Sequence, residues 1–146
     1  MKERTRANGR WTEAQYWSFI RSGLRNKTLK WPPKLDVVKA ATRNLTKEER
    51  EKLGVKYRKV TECQMCGKLC RQRTPLRDAD GNPIKRKYEH FYEVDHIQPV
   101  GSLKCAEDLP QFVERLFCEI DNYRVLCIEC HKKVTHGDKD AEDSTD

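Results

Sequence analysis

No stretch of the 146-residue sequence approaches the roughly twenty consecutive apolar residues that a membrane-crossing helix needs. The first ten residues, MKERTRANGR, hold none of the apolar run that opens a secretory leader. These absences set the expectation of a cytoplasmic protein in a reducing compartment, with no membrane partner. There is also no internal repeat and no long low-complexity tract. Hydrophobic residues make up only 36% of the chain and the mean hydropathy is −0.94, so any apolar core is modest. A chain of this length suits one domain plus an extension, and a core this small often depends on a metal or on disulfides. Cysteine is present seven times, an odd number that argues against a disulfide framework.

Positive charge is abundant but concentrated. Residues 1–59 carry 17 Lys/Arg against six Asp/Glu, while the last ten residues, GDKDAEDSTD, carry five acids and one lysine. A strongly basic first third is the electrostatic footprint of a polyanion partner, with a solvated face as the plainer alternative. DNA is the expected partner, and Arg21, Arg25, Lys27 and Lys30 are the candidate backbone contacts. Three segments follow: a basic helical extension over residues 1–59, a main domain over 60–136, and an acidic tail over 137–146 expected to be disordered.

Within the extension, residues 1–10 read as a disordered arm. Thr12 and Gln15 form a capping-box pattern opening a helix to about Lys27, with Tyr16, Trp17, Ile20 and Leu24 on its apolar face. A second helix is expected from Pro33 to about Arg43 with Leu35 and Val38 inward. A third starts at Thr46-x-x-Glu49 and stops at Gly54. The tryptophans read as core. Residues 55–61 look extended, 71–86 loop-like, and Tyr88 to Asp95 like a strand rich in aromatics. Asp108-Leu-Pro-Gln111 is a helix start, with Phe112, Leu116 and Ile120 expected on one face. A final helix opens at the last cysteine pair.

The pairs Cys63-x2-Cys66 and Cys127-x2-Cys130 are each a knuckle that aims two thiolates at one point. Together they supply the four sulfurs of a closed, tetrahedral structural Zn²⁺ site. Redox dithiols are the alternative, and Cys70 could enter the site in a shifted register. Cys105 and Cys118 read as ordinary thiols.

A second constellation follows. Glu93-Val94-Asp95-His96-Ile97-x-Pro99 sets an acid beside a histidine at a strand end, Asn122 comes 26 residues after His96, and His131 nine after Asn122. Neighbouring strand residues point to opposite sides, so one of Asp95 and His96 would hold an ion and the other act on water. Singly, each residue has a plain reading as a cap, a turn residue or a satisfied polar group. Jointly, four spacings and two knuckles are harder to explain that way.

With DHIQP at 95–99 and NYRVLCIECH at 122–131, residues 60–136 resemble the HNH nuclease family, in particular its zinc-knuckle members and the small nucleases of tailed bacteriophages. The resemblance implies an α+β fold with a ββα-metal core stapled by the four-cysteine zinc site. It implies a metal-dependent endonuclease acting on DNA, with Asp95 and His131 holding the catalytic divalent ion (Mg²⁺, Mn²⁺ or Ni²⁺), His96 as general base and Asn122 bracing the loop. It also implies a host-cell cytoplasmic setting and adds phage packaging proteins to the candidate partners. Some relatives carry a further histidine four residues after the last; here that position is Thr135, and His136 and His90 read as surface and structural residues. The competing class is a zinc-ribbon module that holds DNA or protein without cutting, which explains the knuckles and leaves Asp95, His96, Asn122 and His131 as coincidence.

Overall fold

The computed structural model describes residues 2–143, with side chains described to Thr135. The fold is α+β, with helices and small antiparallel sheets. No helix among the described residues is long and apolar enough to cross a membrane. The chain forms two compact units, one of Met1–Val37 with His96–Tyr123 and one of Val38–Asp95 with Arg124–Asp146. The boundary expected at residue 59 falls inside the second.

The first unit begins with a correction. The segment expected over residues 1–10 as a loose arm is held at Arg6: Arg6 and Trp11 bridge across a turn, and the Arg6 guanidinium pairs with Glu13 at 2.7 Å and lies 4.2 Å from the Tyr16 ring centre, while Met1 lies outside the described residues. Charge pairing and cation–π contact together hold a basic segment that composition alone would leave free. Helix α1 spans Glu13–Lys27, opened by the reciprocal Thr12/Gln15 cap that satisfies two first-turn donors. Its apolar stripe works as expected: Trp17 is buried with Val100, Leu103, Phe112 and Leu116, and Tyr16, Ile20 and Leu24 pack against them.

Helix α2 spans Pro32–Ala41 and buries Val37, whereas Leu35 is 54% exposed. Two adjacent valines fit two helical stripes, and the one running through Val37 wins. Helix α4, Leu109–Leu116, buries Phe112 and Leu116 but stops before Ile120, which is 45% exposed. The cause is local. Continuing the helix would send the Ile120 amide to the Leu116 carbonyl, and that oxygen instead accepts from the Tyr123 hydroxyl at 2.9 Å. Asp108 precedes α4 without capping it, because its carboxylate accepts from the Lys104 amide.

In the second unit, β1 (Thr42–Asn44), β2 (Lys59–Glu62) and β3 (Leu69–Arg71) form an antiparallel sheet in the order β1-β2-β3. Its buried Thr61 hydroxyl is satisfied from both sides, by Thr42 Oγ1 and by the Gln72 amide, each at 2.8 Å. Helix α3, Lys47–Leu53, has the expected cap at Thr46/Glu49, and it ends on Gly54 at φ +70°, a left-handed turn that glycine takes without strain. The stretch expected to be loop-like is a second correction. Here β4 (Thr74–Arg77) and β5 (Pro83–Glu89) pair around a turn at Asp78 to Asn82. The turn residues lie where their chemistry puts them, but the flanking strands are too polar to show alternation. The expected strand from Tyr88 is broken at His90, which is exposed, and resumes as β6, Tyr92–His96. Strand β7, Tyr123–Cys127, joins β6 in a two-stranded sheet, and α5 follows at Ile128–Asp143. The acidic tail expected to be disordered is therefore helical as far as Asp143; residues 144–146 lie outside the described ones.

Arg43 on β1 grips Glu49 through two hydrogen bonds of 2.9 Å, and this, with the Thr46 amide, holds the Glu49 carboxyl down to about 2. A carboxyl lowered on folding stabilises above its ordinary value near 4.3 and loses that contribution as pH falls toward 2. Denaturation midpoints of the native chain and Glu49→Gln should therefore differ at neutral pH and converge between about pH 4.5 and 2. A gap independent of pH would assign the effect to packing instead.

Candidate functional site

The second unit gathers the cysteines of both knuckles. The sulfurs of Cys63, Cys66, Cys127 and Cys130 all lie within 4.8 Å of one another, and Cys66 Sγ is 3.8 Å from Cys127 Sγ. A Zn–S bond of about 2.3 Å in a tetrahedron sets sulfurs about 3.8 Å apart, far beyond the roughly 2 Å of a disulfide. The first knuckle turns because Gly67 adopts φ +78°, returning its amide to the Cys63 carbonyl at 2.9 Å. The second lies at the start of α5, where the Cys130 amide points at Cys127 Sγ from 3.4 Å. Gln64 joins knuckle to strand: its backbone amide donates to the Val125 carbonyl at 2.8 Å, and its side-chain oxygen accepts from the Val125 amide at 2.6 Å.

Two of these thiols are shifted in opposite directions. Burial opposes ionisation of Cys63, yet backbone amides of Cys66, Cys127 and Met65 outweigh it and bring the thiol down to about 6. Cys130 is pushed up to about 12, chiefly by its hydrogen bond to Cys127 and then by burial. Four neighbouring thiolates repel one another unless a cation sits among them, so the donor set fits a structural metal such as zinc. Cys70 is buried beside the cluster but is not one of the four sulfurs; burial pushes its thiol up to about 11, and it faces the Lys68 carbonyl.

The motif residues divide between the units. In the second, Asp95 is half-buried at the end of β6, and its Oδ2 receives both Nε and an Nη of Arg124 at 3.0 Å. His131 lies in the first turn of α5, where its carbonyl accepts from Thr135, and its ring makes no hydrogen bond among the described residues. Among those residues, no group of three or more His, Cys, Asp and Glu ligands forms besides the four cysteines. The side chain of His136 lies outside the described residues.

In the first unit, His96 Nε2 is 3.0 Å from the Leu116 carbonyl oxygen and the ring leans on Tyr123, centroids 4.8 Å apart. A carbonyl only accepts, so Nε2 carries the proton and, in the neutral ring, Nδ1 keeps the lone pair. Asn122 holds the segment that follows: its backbone carbonyl accepts from the Ile97 amide at 2.8 Å and its Oδ1 from the Gln98 amide at 2.9 Å. Of the basic candidates, Arg25, Lys27 and Lys30 are exposed and Arg21 is half-buried. A cavity of about 410 Å³ in the second unit, lined by Tyr57, Cys70, Arg71, Phe91 and Lys132 among others, includes none of Asp95, His96, Asn122 and His131.

Sequence reasoning missed Arg124, the Leu116 carbonyl and Gln64. The only sequence signal for Arg124 was a cation alternating with apolar residues on β7. The Leu116 carbonyl is a backbone group and left none.

The four sulfurs generate a direct test. Purified protein should contain one zinc per chain. Cys63→Ser or Cys130→Ser should release it and melt the second unit, whereas Cys70→Ser should retain it. Elemental analysis with circular dichroism reads both outcomes, and zinc lost from Cys70→Ser alone would move the ligand set. Comparison with family models, with curated proteins and with solved structures finds no match for this chain.

Proposed function

We propose that the protein is a metal-dependent endonuclease of the HNH type that hydrolyses phosphodiester bonds in DNA. The observation that carries this reading is the setting of His96: Nε2 is tied to a backbone carbonyl, leaving Nδ1 as the proton acceptor, while Asn122 clasps the two residues that follow. A histidine serving only as a buried polar group needs no such clasp after it. The order of β6, β7 and α5 is that of a ββα core, and the four-sulfur cluster at the β7–α5 junction supports it.

In this mechanism His96 Nδ1 takes the proton of the attacking water, and the Leu116 carbonyl stabilises the imidazolium through Nε2–H. Asn122 keeps the loop after His96 from drifting. Asp95, through the carboxylate oxygen that Arg124 leaves outside the ion pair, and a ring nitrogen of His131 would hold a divalent ion. That mixed oxygen and nitrogen set suits Mg²⁺, Mn²⁺ or Ni²⁺, and such an ion, when bound, offsets charge on the phosphate and the leaving oxygen. Arg21, Arg25, Lys27 and Lys30 would contact the DNA backbone.

One observation favours the rival zinc-ribbon module. Asp95 already has a cationic partner in Arg124, and a carboxylate so paired can be purely structural. Supercoiled plasmid separates the readings: nicked or linear product with Mg²⁺, Mn²⁺ or Ni²⁺ supports the nuclease, and intact plasmid with all three, beside measurable DNA binding, supports the module.

His96→Ala should lower the cutting rate by about 10²- to 10⁴-fold while zinc content and DNA affinity stay unchanged. Asp95→Ala and His131→Ala should instead recover part of their activity when the divalent ion is raised. A His96→Ala protein that cuts at the native rate would remove the general-base assignment. Replacing Arg21, Arg25, Lys27 and Lys30 by Gln should lower the slope of log affinity against log salt by about 0.9 for each phosphate no longer neutralised.

A further inference from the structure

The β4–β5 hairpin buries almost nothing. Only Thr74 and Ile84 are partly covered, and every other residue of the two strands is exposed, Leu76 and Tyr88 included. A two-stranded ribbon without a buried face is marginal in water, so core packing does not explain this one. Its ladder is also irregular. Pro75 faces Tyr88 and Arg77 faces Pro83, so the four residues from Ile84 to Lys87, three of them basic, stand against Leu76 alone. Arg86, in the middle, has φ +65°. A residue with a Cβ takes that left-handed conformation at a cost, and glycine would take it freely, so turn geometry alone does not call for arginine there.

Among the described residues, no acidic side chain pairs with the charges of this bulge. Lys85, Arg86 and Lys87 are exposed and form no ion pair among the described residues. Asp78 is engaged at the tip, where Oδ1 accepts from the amides of Asp80 and Asn82. Arg77 is turned to the tip as well, donating to the Gly81 carbonyl at 2.8 Å, and the Arg73 guanidinium lies over Tyr88, 4.2 Å from its ring centre. The ribbon thus has an acidic tip locked by its own turn and a basic stem with three uncommitted cations.

We propose that the β4–β5 ribbon is a duplex-DNA contact, lying in the major groove with Lys85, Arg86 and Lys87 directed at phosphates. A two-stranded ribbon is one of the few elements that the roughly 12 Å major groove admits, and cations flanking it would set its register on the backbone. The bulge turns three consecutive basic residues away from strict alternation, so more than one of them can reach the same strand of phosphates. This inference rests on the reading of the protein as one that acts on DNA. It is separate from the contacts assigned to Arg21, Arg25, Lys27 and Lys30, which belong to the other unit.

The test uses the full-length, zinc-loaded protein and a short labelled duplex titrated across a salt series, with plasmid cutting measured in parallel. The triple variant Lys85→Gln, Arg86→Gln, Lys87→Gln should weaken duplex binding roughly 10- to 100-fold near 0.1 M salt and lower the salt slope by about 2 to 3. Its zinc content and circular dichroism should match the native chain. Arg86→Gly, which relieves the left-handed φ, should fold at least as well and lower the slope by about 1. A triple variant with native affinity and slope overturns the ribbon proposal and, if the native protein cuts plasmid, leaves the nuclease reading standing. A native protein that binds duplex without cutting, beside a weakened triple variant, supports the ribbon and sinks the nuclease. Weakening seen only with a single-stranded oligonucleotide overturns the groove placement.

Discussion

Cys66 and Cys127 are 61 residues apart in the chain, yet their sulfurs approach to 3.8 Å. Closing so long a loop costs conformational entropy that the surrounding apolar contacts are poorly equipped to offset. Around the sulfurs, the buried cluster consists of Cys63, Cys70, Leu126, Cys127 and Cys130, with Phe91, Tyr92 and Val134 at its edge, so one aliphatic sits among four thiols, while Leu45, Val60 and Val125 are buried elsewhere in the unit. Full burial of a leucine is worth about 1.5–3 kcal/mol, far less than ordering the strands and knuckle around it. A metal held by four thiolates contributes about 10–16 kcal/mol in small zinc domains. With such a metal bound, the geometry around the two knuckles would depend on the four-sulfur cluster more than on the apolar contacts beside it.

The consequences spread along a short piece of chain. Cys127 ends β7, and α5 begins at the next residue, so fixing the cluster fixes both the end of the strand and the start of the helix. Within that frame Arg124 reaches Asp95, Val125 exchanges two hydrogen bonds with Gln64, and His131 takes the position directly after Cys130. The Gln64 clasp shows how the two knuckles are aligned by ordinary hydrogen bonds as well as by sulfur. Its side-chain oxygen accepts from the Val125 amide as a strand carbonyl would.

What could be read from the sequence was what is local. The capping boxes at Thr12/Gln15 and Thr46/Glu49, the stop at Gly54 and the stripe of α1 involve residues within one or two turns of each other. The knuckle spacings were equally legible because two cysteines in one tight turn have few other uses. Contacts across long separations were not legible. Arg124 meets Asp95 across 29 residues and His96 meets the Leu116 carbonyl across 20, and a backbone oxygen carries no letter in the sequence. The same oxygen also accounts for the misplacement of Ile120, since it takes the Tyr123 hydroxyl and ends α4 early. In α2, Val37 and Val38 offered two stripes of equal quality. The β4–β5 ribbon stayed hidden because strands announce themselves by burying alternate residues, and this one buries almost none.

The pair formed by Arg124 and Asp95 marks where the two functional readings part. Two unit charges about 4 Å apart near a protein surface attract by roughly 4 kcal/mol before water and salt reduce it, and a doubly charged ion at the same distance by about twice that. An ion arriving at Asp95 would also gain a ring nitrogen of His131, and that ring makes no hydrogen bond among the described residues that would have to be broken. It would meet repulsion from the guanidinium, however, so occupancy would depend on Arg124 finding another anion to face. A phosphate oxygen of bound DNA meets that need, because guanidinium pairs with phosphate as readily as with carboxylate. On the nuclease reading, then, metal and DNA should assist each other's binding, and tight metal binding without DNA is not expected. On the rival reading no ion arrives, the pair ties β6 to β7, and DNA gains nothing from added divalent metal. The coupling between metal and DNA thus distinguishes the two readings even before any bond is cut.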